Sequence, residues 1–315
     1  MSEHNSTLDI PQDEPVRSAP LKVWIKTARP ITLTAAVSPV LVGSALAAYD
    51  GTFKPLLFLI TLLSCLFLQI GTNFFNEYFD YLYGLDSLES LGASTVIFRK
   101  EMSAKQVLGG GIGSFVIAAL LGISLIFLVG PAIILFGLAG AAIAYFYSAR
   151  PFKLASRGLG DVMVFLAMGV LMTWGSYYVQ IQQWSWSAFA ASIPVGFLVT
   201  AILNMNNVRD YQEDLAVNKL TLPVRFGLRF GQGFHAFLVL GSFVALVLGV
   251  IVHLLPLLSL LALLILPVAI VNVRSVWRAT DRQPFIKGTK TTAILHLQFG
   301  LAFTIGILLS TLLHL

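Results

Sequence analysis

Long apolar stretches joined by short polar ones fill most of this 315-residue chain. A helix that crosses a bilayer needs about 20 largely apolar residues. The pattern predicts about nine of them, over 25–48, 55–79, 106–129, 131–148, 160–180, 187–208, 232–252, 254–273 and 291–313. Gly130-Pro131 divides the third from the fourth. Residues 1–20 are polar, hold three prolines and are expected to form a flexible tail. Residues 21–315 are then a single transmembrane domain. GSALAAYD (43–50) has the small residues of a signal-cleavage site, but a long polar segment comes first and the later spans look alike, so the first span is expected to be retained.

Composition agrees with that pattern. The chain is 57% hydrophobic and only 11% charged, with a mean hydropathy of +0.84. Soluble domains carry about a quarter of their residues as charges. Of 20 Lys and Arg, 19 lie in the N-terminal region or after the second, fourth, sixth and eighth spans, and only Lys54 lies on the other side. By the positive-inside rule the basic face is expected to be cytoplasmic. That asymmetry accounts for the net charge of +5 without a nucleic-acid partner. Cys65 is the single cysteine, so no disulfide framework exists.

The acidic residues are as one-sided as the basic ones, because all but Asp50 fall on the basic face. Carboxylates contribute little to orientation, so topology does not explain this. Two clusters stand out: Asn73, Asn76, Glu77, Asp80 and Asp86 after the second span, and Asn206, Asn207, Asp210, Glu213 and Asp214 after the sixth. Residues three, four and seven apart share a helix face. Asn73, Asn76 and Asp80 therefore stack, as do Asn206, Asp210 and Asp214. A solvated helix end is the ordinary reading of one such cluster. Yet carboxylates at a helix C-terminus meet the negative end of the dipole, at a cost of roughly a few tenths of a kcal/mol or more. Two ladders at that unfavourable end point instead to a shared task. Their carboxylate and amide oxygens are hard ligands suited to Mg²⁺.

Cations accompany both clusters: Arg150, Lys153 and Arg157 in one loop, Arg209, Lys219, Arg225 and Arg229 in another. Topology accounts for Arg157 and Arg229. Tyr147, Arg150 and Lys153 share a short loop expected to lie over the bundle. Carboxylates mixed with Lys and Arg suit a diphosphate held directly and through Mg²⁺. No P-loop is present, the five histidines lack ligand spacing, and GGGIG (109–113) reads as helix packing. An apolar bundle with a diphosphate at its rim suits an amphiphile such as a prenyl diphosphate, whose tail would lie between helices or in lipid. The separation of Asp80 from Asp210 suggests two related four-helix units and a ninth helix. YSARPFK (147–153) has a faint echo in RQPFIKG (282–288).

NEYFDYLYGLD (76–86), YSARPFK (147–153) and NNVRDYQED (206–214) together resemble the UbiA superfamily of membrane prenyltransferases over about residues 20–315. WIKTARPITLTAAVSPVLVGSALA (24–47) and DLAVNKLTLPVRFG (214–227), with Asp86 six residues after Asp80, are most similar to the menaquinone-pathway branch. The resemblance implies an all-α fold of nine helices around a central cavity. It further implies Mg²⁺-dependent transfer of a polyprenyl group from its diphosphate to an aromatic carbon. For that branch the acceptor is 1,4-dihydroxy-2-naphthoate, which loses its carboxyl group to give demethylmenaquinone. Asp80, Asp86, Asp210 and Asp214 would hold the metal with Asn76 and Asn207. Arg150, Lys153, Arg209, Lys219 and Asn76 would bind diphosphate, Lys219 alternatively the acceptor carboxylate. Asp80, Asp210, Lys153 and Tyr147 would act in catalysis. Two departures are Glu77, where the family usually has Asp, and GLDSLESLGAST (84–95), which is less basic than the family's loop. Other acceptors (4-hydroxybenzoate, homogentisate, a haem or chlorophyll precursor) and a secondary transporter are the alternatives.

Overall fold

A computed structural model describes residues 19–84, 95–149 and 151–314. Among them every regular element is helical. A short helix, α1 (Leu21–Ala28), precedes α2 (Thr34–Tyr49), α3 (Pro55–Leu82), α4 (Ala104–Val129) and α5 (Ile133–Ser148). Then come α6 (Gly160–Ile181), α7 (Trp186–Arg209), two short helices α8 (Tyr211–Ala216) and α9 (Leu222–Phe226), α10 (Leu228–Ile251), α11 (Leu257–Arg278) and α12 (Arg282–Leu313). Eight helical stretches are long and apolar enough to cross a membrane, and Ile133–Tyr147 is a shorter apolar ninth. The nine expected spans are thus all helical.

Local sequence explains the breaks. Ser103 caps α4 by accepting the Gln106 N–H while the Gln106 side chain accepts the Ser103 N–H, a reciprocal capping box. Arg29 precedes Pro30, whose ring disfavours helical backbone before it, and takes up φ 52°. The first span is therefore divided: α1 ends at Ala28 and a tight turn, Pro30–Leu33, leads into α2. Inside α6 a π-helical stretch, Phe165–Leu171, faces a cavity. The last span begins at Arg282 rather than at 291, because the polar run RQPFIKGTK forms the first turns of α12.

The bundle is solid on one side and hollow on the other. The solid side joins α2, α6, α7, α10 and α12 through Val42, Leu46, Tyr177, Leu198, Leu246, Phe299 and Phe303. Small residues bring helices close there: a Cβ on Gly43 would sit 2.2 Å from the Thr173 carbonyl oxygen. We expect Gly43→Ala to lower stability by about 1–3 kcal/mol through overpacking, read as an earlier thermal unfolding midpoint in detergent. In GGGIG, Gly110 and Gly111 meet Phe74 and Phe75 of α3, whereas Gly109 and Gly113 meet nothing. The two charged residues on the less charged face are joined to α6, Asp50 through its side chain and Lys54 through its backbone: Tyr177 donates to Asp50 at 2.6 Å, and the Lys54 backbone N–H donates to Gln180 at 2.7 Å. On the hollow side, α2 to α7 surround a cavity of about 510 Å³.

Candidate active site

The acidic end of this cavity is assembled from helix ends far apart in sequence. Asn73, Asn76 and Asp80 from the last turns of α3 line it on one side. Asn206, Asn207, Arg209 and Asp210 from the end of α7 line the other, with Glu213 and Asp214 from α8 and Lys219 beyond it. The chain kinks at Asp210, but the Asp214 N–H still donates to the Asp210 carbonyl at 2.8 Å, which keeps the two carboxylates in register. Tyr147 from α5 completes the wall. Asp80 lies within the electrostatic reach of Lys219, Arg29, Glu77 and Asp210, so the two acidic clusters meet. The Tyr147 hydroxyl is likewise within reach of Lys219, Asp161, Asp80 and Asp214.

Cations already neutralise part of this charge. Arg209 donates from Nε and Nη2 to the two Asp210 oxygens at 2.7 and 2.6 Å. A carboxylate offers about four lone-pair sites, so Asp210 keeps capacity for a metal. Lys219 Nζ lies 3.3 Å from Asp214 Oδ1, and Thr221 donates to Oδ2 at 3.4 Å. Burial opposes the Lys219 ammonium, but Asp214, Asp80 and Asp210 outweigh it and hold the group above the usual lysine range. Burial pushes the Asp214 carboxyl up to about 6, with Lys219 restraining the rise and Asp210 adding to it.

The donors fit a hard divalent cation of a particular kind. They are carboxylate and amide oxygens, yet among the described residues no three His, Cys, Asp or Glu side chains form a ready-made cage. Mg²⁺ suits such a site, because it keeps waters and is held by one or two carboxylates plus substrate phosphate oxygens.

The expected site residues divide into three groups. Asn76, Asp80, Tyr147, Asn207, Arg209, Asp210, Asp214 and Lys219 all line the one cavity. Lys153 does not; its ammonium stands over the Tyr83 ring, 3.2 Å from the centroid. Asp86 and Arg150 lie outside the described residues. Glu77, grouped with the first cluster by sequence, points elsewhere. It is 1% exposed and accepts the Thr95 and Val96 N–H groups at 3.1 and 2.7 Å and Arg29 Nη2 at 3.4 Å. Glu213 pairs with Arg282 at the start of α12.

Two residues at the site escaped the sequence reading. Arg29 lines the cavity beside Asp80, and its buried Nε has no hydrogen-bond partner. Its signal was the Arg-Pro step, where a forced backbone kink turns the side chain inward. Asp161, 3% exposed, accepts Asn207 Nδ2 at 3.4 Å, which leaves the amide oxygen for the cavity. An acid at the start of an apolar span, GLGDVMVF (158–165), was its signal.

An all-helical, multi-pass membrane protein whose cavity has a carboxylate- and cation-lined end and an apolar shaft is the class that these observations define. The chain belongs to the UbiA prenyltransferase family, which it matches over residues 36–295. It is 37% identical over 216 residues to the 1,4-dihydroxy-2-naphthoate octaprenyltransferase of Bacillus subtilis, covering 69% of this chain and 70% of that one. With the Escherichia coli protein of the same name it shares 33% identity over 300 residues, 92% and 96% of the two chains. Its fold matches the apo structure of a UbiA homolog from Aeropyrum pernix K1 with a TM-score of 0.68 at 14% identity, covering 89% of this chain and 97% of that one. It also matches a UbiA homolog from Archaeoglobus fulgidus bound to GPP and Mg²⁺, with a TM-score of 0.62 at 16% identity over 90% and 99% of the chains.

Proposed function

We propose that this protein transfers a polyprenyl group from its diphosphate to 1,4-dihydroxy-2-naphthoate, with Mg²⁺ and with loss of the acceptor's carboxyl group as CO2, giving diphosphate and the reduced quinone, demethylmenaquinol, whose oxidation to demethylmenaquinone is a separate step. One observation carries the reading: a single cavity joins the Asp80–Asp210–Lys219 end to an apolar shaft. An amphiphile with a diphosphate head has that division of polarity. All the charges lie at one end, whereas a transporter's site usually sits near the bilayer midplane. The basic face is cytoplasmic in this reading, and the membrane is the cell membrane.

Asp80, Asp210 and Asp214, with Asn76 and Asn207, would hold Mg²⁺, and Asp86 would join them. When bound, the metal would neutralise the diphosphate and make it a better leaving group. Lys219 and Arg209 would grip its oxygens, and Lys153 and Arg150 would join them. The allylic C–O bond would then break with its electron pair going to diphosphate, and Tyr147, which lines the same cavity, would face the resulting cation. Apolar walls would keep water from that cation until the acceptor's ring carbon attacks; the ring–carboxylate bond then breaks, CO2 leaves, and its electron pair restores the aromatic dihydroxy ring. Arg29, with an unused donor, would take the acceptor's carboxylate.

The assay uses purified protein in lipid with a long-chain prenyl diphosphate, 1,4-dihydroxy-2-naphthoate, and Mg²⁺ or EDTA. A product lacking the carboxyl group, formed with Mg²⁺ and absent with EDTA, is expected. Turnover only with 4-hydroxybenzoate or homogentisate would replace the acceptor, and silence with every acceptor would overturn the reading. Metal binding should also depend on pH. Asp214 must be ionised to bind a cation, and its carboxyl titrates at about 6. As pH falls through that value the proton competes, so Mn²⁺ affinity in direct titrations should be about tenfold weaker at pH 5 than at pH 7.5. Asp214→Asn should flatten that step, and an equal slope in the variant would remove Asp214 from the ligand set.

A further inference from the structure

The α11 helix is long and apolar enough to span the membrane, so its exposed face meets lipid. Leu264, Val271 and Arg278 recur every seven residues on that face, and Arg274 stands one turn before Arg278; all four are exposed. Arg274 thus lies about 6 Å inside the end of the span, at 1.5 Å per residue. The positive-inside rule puts cations on this side of the membrane but does not require one on the lipid face a turn inside a span. A cation there is costly unless its head reaches a counter-charge at the membrane surface. The protein supplies none: among the described residues neither Arg274 nor Arg278 makes a hydrogen bond or an ion pair, and Asp281, the acid nearest in sequence, pairs with neither. Nor are these two arginines needed to finish α11. Gln232 donates to the Val276 and Ala279 carbonyls at 2.8 and 2.9 Å, and Arg229 donates to the Trp277 carbonyl at 2.9 Å. The Arg229 guanidinium also lies 5.6 Å from the centroid of the Trp277 ring, which is 50% exposed.

We propose that this corner binds an anionic phospholipid, whose headgroup phosphate pairs with Arg274 and Arg278 and whose acyl chain lies along Val271 and Leu264. Charge selects that occupant. A zwitterionic headgroup brings its own cation, whereas an anionic one leaves net negative charge for two unpaired guanidiniums, whose planar forks match phosphate oxygens. Trp277 adds an amphipathic ring of the kind that sits at headgroup level. None of these residues lines the cavity, so the site is separate from the one described above and does not depend on the reaction proposed for it.

The test titrates the purified full chain in detergent micelles with phosphatidylglycerol and with phosphatidylcholine, and counts bound lipid by native mass spectrometry. Wild type should prefer phosphatidylglycerol by about tenfold or more, each arginine near a charged headgroup contributing roughly a factor of five. Arg274→Gln/Arg278→Gln should bring that preference to within about twofold of unity. Lys22→Gln/Arg99→Gln removes two exposed cations elsewhere on the basic side and should keep it. Equal affinities in wild type, an unchanged preference in Arg274→Gln/Arg278→Gln, or an equal loss in Lys22→Gln/Arg99→Gln would overturn the proposal. Full competition by inorganic phosphate would also overturn it, since the corner would then hold a free anion and not a lipid. If the unfolding midpoint shows that Arg274→Gln/Arg278→Gln does not fold, Arg274→Gln alone decides: a loss of at least about threefold is expected, and no loss overturns the site.

Discussion

Asp80→Asn and Asp210→Asn should each lower prenyl transfer by at least about a hundredfold at saturating Mg²⁺, while the protein still inserts in the membrane at normal levels. The substitutions keep size and shape and remove one negative charge from the acidic end of the cavity. Neither residue is packed into the solid half of the bundle, so folding has little reason to change. Mg²⁺ is held by one or two carboxylates with substrate and water supplying the remaining ligands, so each carboxylate would count heavily. Asp210→Asn carries a second cost: Arg209 loses a two-pronged partner and swings free in the cavity wall. Initial rates by product mass and membrane abundance by immunoblot measure the two quantities separately. Near-normal rates in either variant would remove the metal assignment from that residue.

Much of this arrangement is readable from residue order. Apolar runs and the one-sided Lys and Arg placed nine spans, and three- and four-residue spacing put Asn76 with Asp80, and Asp210 with Asp214, on shared faces. Those rules act within one helix or loop, and so survive without a fold. What depends on the approach of separate elements was not readable. Hydropathy ends at the membrane rim, so it started the last span at 291, although α12 continues as a helix to Arg282. The echo between YSARPFK and RQPFIKG has no structural counterpart, since Pro151-Phe152 lies in a turn and Pro284-Phe285 inside the first turns of α12. Arg29 and Asp161 reach the site only through contacts with partners far away in sequence.

Glu77 is the sharpest case of that limit, and it leads to the largest expected loss of stability. By spacing it belongs to the first acidic cluster, yet its carboxylate is turned away from the cavity lining and bound to the chain at Thr95 and Val96 and to Arg29. One residue thus ties α3 to the chain just ahead of α4 and to the kink that aims Arg29. Glu77→Ala would leave two backbone donors and a partly buried guanidinium without their acceptor, which costs about 3–5 kcal/mol by the measure of broken buried ion pairs. Glu77→Gln keeps one acceptor oxygen but turns an amide N–H toward a backbone donor, so it should be intermediate. Thermal unfolding in detergent should therefore rank wild type above Gln and Gln above Ala. Mn²⁺ affinity of the folded variants should stay within about threefold of wild type, well short of the loss that removing a metal ligand causes. The opposite pattern, normal unfolding with lost metal binding in Glu77→Ala, would make Glu77 a ligand after all.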